Sequence, residues 1–175
     1  MNYYVMQVSP HEEQRALDWI KSRVEPSLYG ECFHLTRYVR KKFKGKWHDV
    51  YQKLLPGYVF IETEDIEGLW LALRKIPVMT KLLGRGGDPY TSLNESETEW
   101  LLQLKGANGE VALSFIRVHE NNEVSILSGP LTGMKGMIKK INLHKRVAEV
   151  EVNLMNQKIT VYLGIEIVKP ATGDG

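Results

Sequence analysis

The hydrophobic pattern of this chain changes character near residue 106, and that change constrains the fold more than any other feature. Before it, helical spacing alternates with strand-like runs; after it, no helical period remains. "YYVMQV" (residues 3–8) is apolar and rich in β-formers, which predicts a buried strand. In "SPHEEQRALDWIKSRVE", Ala16, Leu17, Ile20 and Val24 recur at helical spacing. Ser9 stands as N-cap, Pro10 in the first turn and Glu12 at the capping-box position. "CFHLTRYVRKKF" (32–43) alternates as a strand, "KGKW" is a turn, and "HDVYQKLLPGYVFIET" holds two strand-like pieces around "LPG". "DIEGLWLALRKIP" predicts a helix capped by Asp65 and ended by Pro77. "TKLLGR" is a short strand and "GGDPYTSL" a loop. "NESETEWLLQLKG" is a third helix, with Asn94 or Ser96 as cap and acids in its first turn. The order β-α-β-β-(β)-α-β-α predicts an α+β layered domain of ferredoxin-like kind over residues 1–106. Residues 107–116 read as a linker. Over 117–175, "EVSILSG", "KGMIKKIN", "RVAEVEVNL" and "KITVYLGIEIV" are short strands between turns, the pattern of a small all-β barrel.

Catalytic and metal chemistry find little support. The five histidines (11, 34, 48, 119 and 144) have no paired spacing for a metal, and there is no G-x-S-x-G and no Walker loop. "GRGG" at 84–87 is a loop. The single cysteine, Cys32, excludes an internal disulfide framework and an all-cysteine zinc site, and reads as a buried structural thiol. Glu62, Glu64, Asp65 and Glu67 read as a solvated strand end and helix start. The expectation is a protein without catalytic residues, metal or cofactor. The opening residues lack a signal-peptide pattern and no run approaches a membrane span, so the expected location is the cytoplasm.

The formal net charge is only +2, but the charge is uneven. Across residues 37–53, Arg37, Arg40, Lys41, Lys42, Lys44, Lys46 and Lys53 face one acid, Asp49, and Tyr38, Phe43, Trp47 and Tyr51 interleave with them. Across 135–158, Lys135, Lys139, Lys140, Lys145, Arg146 and Lys158 outnumber Glu149 and Glu151. Cations with interleaved aromatics suit a phosphate backbone and stacked bases. A solvated hairpin is the competing account.

"GPLTGMKGMIKKI" (129–141) resembles the KOW motif, in which a strand, a glycine-rich turn and a second strand begin a small SH3-like barrel. Gly136 matches its glycine, where a missing Cβ would permit left-handed or crowded backbone. "YYVMQVSPHEEQRALDWI", "LLPGYVFIE" and "LWLALRKIPVMTKLLG" are similar to the first strand and helix, the signature segment, and the second helix and following strand of the NusG amino-terminal (NGN) domain. Together these resemble the NusG family of transcription factors across nearly the whole chain. The resemblance implies docking on the RNA polymerase clamp through Leu55, Pro56, Tyr58 and Phe60; Val59 and Ile61 belong to the core, so alternation puts Tyr58 and Phe60 on the other face. "FKGKWHD" has no apolar alternation to bury, so its hairpin should project and offer Arg40, Lys41, Lys42 and Lys44 to upstream DNA or polymerase, and Arg74 and Lys75 stand where the family's second helix meets non-template DNA.

The departures are informative. "RKIPVM" stands where housekeeping members carry "RNTPGV", and Met155, Asn156 and Gln157 stand where they carry "FGR" at the surface that meets Rho or a small ribosomal-subunit protein. The basic turn "NLHKR" (142–146) replaces an acidic-leaning loop. These point to a specialised antiterminator of the LoaP or RfaH kind. Such a protein would be a monomer, with no membrane partner, whose barrel presents Lys139, Lys140, His144, Lys145, Arg146 and Lys158 to a leader RNA hairpin. Lys139 and Lys140 are neighbours on a strand, which predicts that only one of them points outward from it and that the other lies at the barrel rim. The alternatives are a housekeeping factor whose barrel is a protein adaptor, and a ribosome-associated RNA-binding module.

Overall fold

In a computed structural model the described residues are 1–78 and 80–169; Met79 and residues 170–175 of the expected barrel domain lie outside them. The elements, in order, are β1 (Asn2–Val8), α1 (Glu13–Arg23), β2 (Cys32–Phe33), β3 (Thr36–Phe43), β4 (Lys46–Lys53), β5 (Tyr58–Thr63), α2 (Ile66–Leu73), β6 (Thr80–Leu82) and α3 (Glu95–Lys105). There follow β7 (Glu110–Val111), β8 (Ser114–Val118), β9 (Val124–Ser128), β10 (Ile138–Asn142), β11 (Val147–Leu154) and β12 (Gln157–Ile167). The fold is mixed α+β, and the chain divides into two compact units. The first comprises Met1–Leu35, Leu55–Leu101 and Asn153–Gln157; the second comprises Thr36–Leu54, Leu102–Val152 and the residues from Lys158 on. The stretch expected as a linker, 107–116, carries β7 and the start of β8.

The first unit is built on a four-stranded sheet in the order β2-β5-β1-β6, with β1 antiparallel to both β5 and β6. Met6, Val59 and Ile61 face a core shared with Ala16, Leu17 and Ile20 of α1 and Leu69 and Leu73 of α2. Burying each of these side chains other than Ala16 contributes roughly 1.5–3 kcal/mol. Helix α2 starts where expected: the Asp65 side chain accepts from Gly68 N at 2.9 Å. Helix α3 opens with a full capping box, in which Asn94 Oδ1 accepts from Glu97 N at 2.8 Å and Glu97 Oε1 accepts from Asn94 N at 2.9 Å.

Helix α1 departs from expectation. Residues 9–12 form a turn, in which Glu12 N donates to Ser9 O and His11 has φ of 74°, so the helix begins at Glu13 without a side-chain cap. Glu13 is 1% exposed and accepts from Gly57 N at 2.8 Å, which ties the helix start to the "LPG" turn before β5.

The second unit contains a three-stranded sheet, β4-β3-β7, and a five-stranded sheet, β10-β11-β12-β8-β9. β3 and β4 form a hairpin with a two-residue loop, Lys44–Gly45, both at positive φ, as a type I′ connection requires. In the five-stranded sheet β8 pairs antiparallel with β9 but parallel with β12, through Ser114–Ile165 and Ile116–Ile167. Ile116, Leu131, Val150, Leu163 and Ile165 are buried in this unit.

The glycine assignment in the KOW-like segment moves. Gly136 has ordinary φ, and a Cβ placed there would meet nothing within 4 Å. The crowded position is Gly129, at φ of 97°, where a Cβ would lie 2.5 Å from Ser114 Cα. The segment turns through two short 3₁₀ pieces, Pro130–Gly133 and Lys135–Met137, and Gly129 is the point at which it folds back against β8.

Candidate nucleic-acid interface

The basic turn between β10 and β11 is held by its own backbone and side chains. Asn142 Oδ1 accepts from Lys145 N at 2.9 Å, and Arg146 sits in the left-handed region with φ of 57°. Ile165 N donates to Arg146 O at 3.0 Å, anchoring the turn to β12. Arg146 Nη1 donates to Leu143 O, and its guanidinium lies 4.9 Å from the centre of the Trp47 ring on β4. His144 and Lys145 are exposed.

The β3–β4 hairpin supplies the other cations. Arg40 is half-buried and ion-paired with Asp49 at 3.2 Å and Glu166 at 3.5 Å, so its charge is already balanced. Lys41, Lys42 and Lys44 are exposed, and Lys44 Nζ lies 5.6 Å from the Phe43 ring. Arg37 lies over Tyr162 of β12, donating to the Tyr162 carbonyl and to Gln52 Oε1; burial holds its guanidinium below the ordinary arginine value.

Within the second unit the two cationic stretches meet around one cavity of about 740 Å³. Arg37, Val39, Arg40, Lys41, Lys42, Trp47 and Gln52 line it from the hairpin. Asn142, His144, Lys145, Val147, Glu149 and Tyr162 line it from β10, β11, β12 and the turn.

Not all six expected RNA-binding residues converge. Lys139 and Lys158 form a separate group around Glu151, at 3.8 and 3.9 Å. Lys139 and Lys140 are both exposed, where alternation predicts one pointing outward and the other at the barrel rim. A register shift between Ile138 and Lys140 pairs Ile138 with Val150 and Lys140 with Glu149 and leaves Lys139 as the extra residue of a bulge. Nothing in the local sequence marks that bulge. Tyr162 and Gln52 were missed as groove residues because only long-range packing brings them there.

In the first unit, Pro56 is exposed and Tyr58 half-buried, while Leu55 and Phe60 are buried. Phe60 does lie on the opposite sheet face from Val59 and Ile61, but it is covered there by Phe33, stacked at 5.7 Å, and Trp100, edge-on at 6.5 Å. At the end of α2, Arg74 stacks on Trp70 at 4.9 Å; Arg74 and Lys75 are exposed and Ile76 is buried. Cys32 is half-buried, and burial pushes its thiol up to about 12. Among the described residues no His, Cys, Asp or Glu side chains group to hold a metal, and no helix is long and apolar enough to cross a membrane.

Comparison with known proteins agrees with this architecture. A solved structure of Thermotoga maritima NusG, described as showing domain interaction, superimposes with a TM-score of 0.55 at 24% identity, covering 93% of each chain. The transcription termination/antitermination protein NusG of Haemophilus influenzae is 24% identical over 92% of this chain and 89% of its own length. Its counterpart from Halalkalibacterium halodurans is 27% identical over 93% and 94%. The family model described as transcription termination factor nusG matches residues 1–102, more than half of the sequence, and the chain therefore belongs to the NusG family of transcription termination and antitermination factors.

Proposed function

We propose that this NusG-family chain is an elongation and antitermination factor of the specialised LoaP or RfaH kind. It docks on the RNA polymerase clamp through the "LPGY" turn and uses its second unit to bind nucleic acid, a leader RNA hairpin foremost. The supporting observation is the concentration of exposed cations, Lys41, Lys42 and Lys145, with no ion pair among the described residues, around a groove that Trp47 and Tyr162 also line. A protein adaptor would need apolar anchors in that place rather than lysines. Pro56 and Tyr58 are the docking residues the fold leaves accessible, and Arg74 and Lys75 are proposed to lie along displaced non-template DNA.

Two measurements test the two halves. Tyr58→Ala is expected to reduce retention on core polymerase with unchanged circular dichroism, since truncating an interface aromatic costs about 2 kcal/mol or more; unchanged retention removes Tyr58 from the docking surface. For nucleic acid, the full chain is titrated with the hairpin transcribed upstream of its neighbouring operon and with a scrambled hairpin. Preference for the former supports leader recognition. Equal weak binding to both, together with capture of Rho, returns the second unit to the role of a protein adaptor.

A further inference from the structure

We infer that the 740 Å³ cavity of the second unit is a site for unpaired nucleotides, in which a base stacks on Trp47 while Lys41, Lys42 and Lys145 hold the flanking phosphates. The inference rests on the nucleic-acid reading above and narrows it to a ligand class and a place.

The volume lies within the roughly 300–1,000 Å³ usual for ligand sites. The walls are fixed relative to each other inside this unit. β12 approaches β3 so closely that a Cβ on Gly164 would lie 2.1 Å from Tyr38 O, and Arg37 bridges the same strands through the Tyr162 carbonyl. The charge is one-sided: among the described lining residues Glu149 is the single carboxylate. Of the lining cations, Arg37 and Arg40 are held by protein partners, whereas Lys41, Lys42 and Lys145 take part in no ion pair among the described residues. Such lysines suit phosphates, as point charges that need no fixed geometry.

The Trp47 ring supplies what a purely solvating patch would lack. It is half-buried in an otherwise exposed hairpin end, and a guanidinium rests against it. The Arg146 guanidinium on this ring shows that it accepts a planar group by stacking, and Trp47 itself lines the cavity, where a base can stack in the same manner. A duplex cannot offer such a base without unpairing, so single strands, loops and bulges are favoured over paired stems. The cavity chemistry is shared by RNA and DNA single strands, and the test separates them.

The full chain is titrated by fluorescence anisotropy with a uridine 12-mer, a thymidine 12-mer and a 20-base-pair RNA duplex. The chains used are wild type, Trp47→Ala, Trp47→Phe, the triple variant K41Q/K42Q/K145Q and the pair K139Q/K158Q, each checked by circular dichroism. Stacking contributes about 1–3 kcal/mol per base, so Trp47→Ala should weaken single-strand binding about 5- to 150-fold. Trp47→Phe should recover most of it, and duplex binding should not change. The triple variant should lower the log-salt slope by about three units. The better of the two 12-mers identifies RNA or DNA as the source. If Trp47→Ala leaves both 12-mers within twofold of wild type while K139Q/K158Q weakens the duplex, the groove is overturned but nucleic-acid binding stands. If wild type binds none of the three, both are overturned.

Discussion

Replacing Glu13 by alanine should release the turn that presents Pro56 and Tyr58. Its carboxylate is 1% exposed and accepts from Gly57 N at 2.8 Å and, weakly, from His11 N at 3.4 Å. Gly57 O in turn accepts from Val8 N at 2.8 Å, so one carboxylate joins the start of α1, the turn and the end of β1. A hydrogen bond to a charged group contributes about 1.5–3 kcal/mol, and leaving the Gly57 N–H orphaned costs an overlapping 1–3 kcal/mol. Discounting the overlap, Glu13→Ala should destabilise by about 2–3 kcal/mol and Glu13→Gln, which keeps an acceptor, by about 1 kcal/mol. Urea unfolding followed by circular dichroism measures the total, with an unchanged m-value as control. Amide exchange at Gly57 measures the local effect and should accelerate about 30- to 150-fold in the alanine variant. A loss below about 0.5 kcal/mol with Gly57 still protected would refute the idea that this carboxylate holds the turn.

Two further outcomes separate crowded from open positions and test the thiol. Gly129→Ala should cost at least about 2 kcal/mol, because φ of 97° excludes a side chain and the added Cβ meets Ser114, whereas Gly136→Ala should be neutral or gain up to about 1 kcal/mol; equilibrium unfolding of both variants decides. Cys32 should react slowly with a disulfide reagent at pH 8 in the native chain and fast in urea, since burial pushes its thiol from the usual 9 to about 12. The folded state keeps a proton that the unfolded state loses, so this group's contribution is intact below pH 9 and declines as pH rises from 9 toward 12. Rapid native labelling at pH 8 would contradict the burial.

Local signals were readable wherever local chemistry decides. Asp65 and Asn94 cap helices because a short acceptor side chain reaches its own first turn, and both helices begin where those residues predict. Ser9 carries the same signal but fails, because Glu13 is drawn inward by the Gly57 amide, forty-four residues away in sequence. Alternation placed Phe60 opposite Val59 and Ile61 correctly, yet could not show that Phe33 and Trp100 cover that face. The two cationic stretches were visible as composition. Their convergence on one groove depends on β3 meeting β12, a pairing of segments more than a hundred residues apart, for which neither stretch carries a sign.

The parallel contact between β8 and β12 bears on the order in which the chain acquires its shape. Ser114 must wait for Ile165, some fifty residues downstream, before that edge can close. In the first unit β1 must likewise wait for β5, but both strands have left the ribosome long before β12 is made. Closing so long a loop is slow, and its entropy must be met before the contact returns anything. During synthesis β8 and β9 therefore exist for a time as an unsupported hairpin, with Phe115 and Leu127 already facing solvent. That nascent hairpin is the stage at which the polypeptide is most open to misassembly, and a ribosome stalled after β12 has begun should yield a chain in which Met1–Leu35 and Leu55–Leu101 resist protease while residues 114–128 are cut.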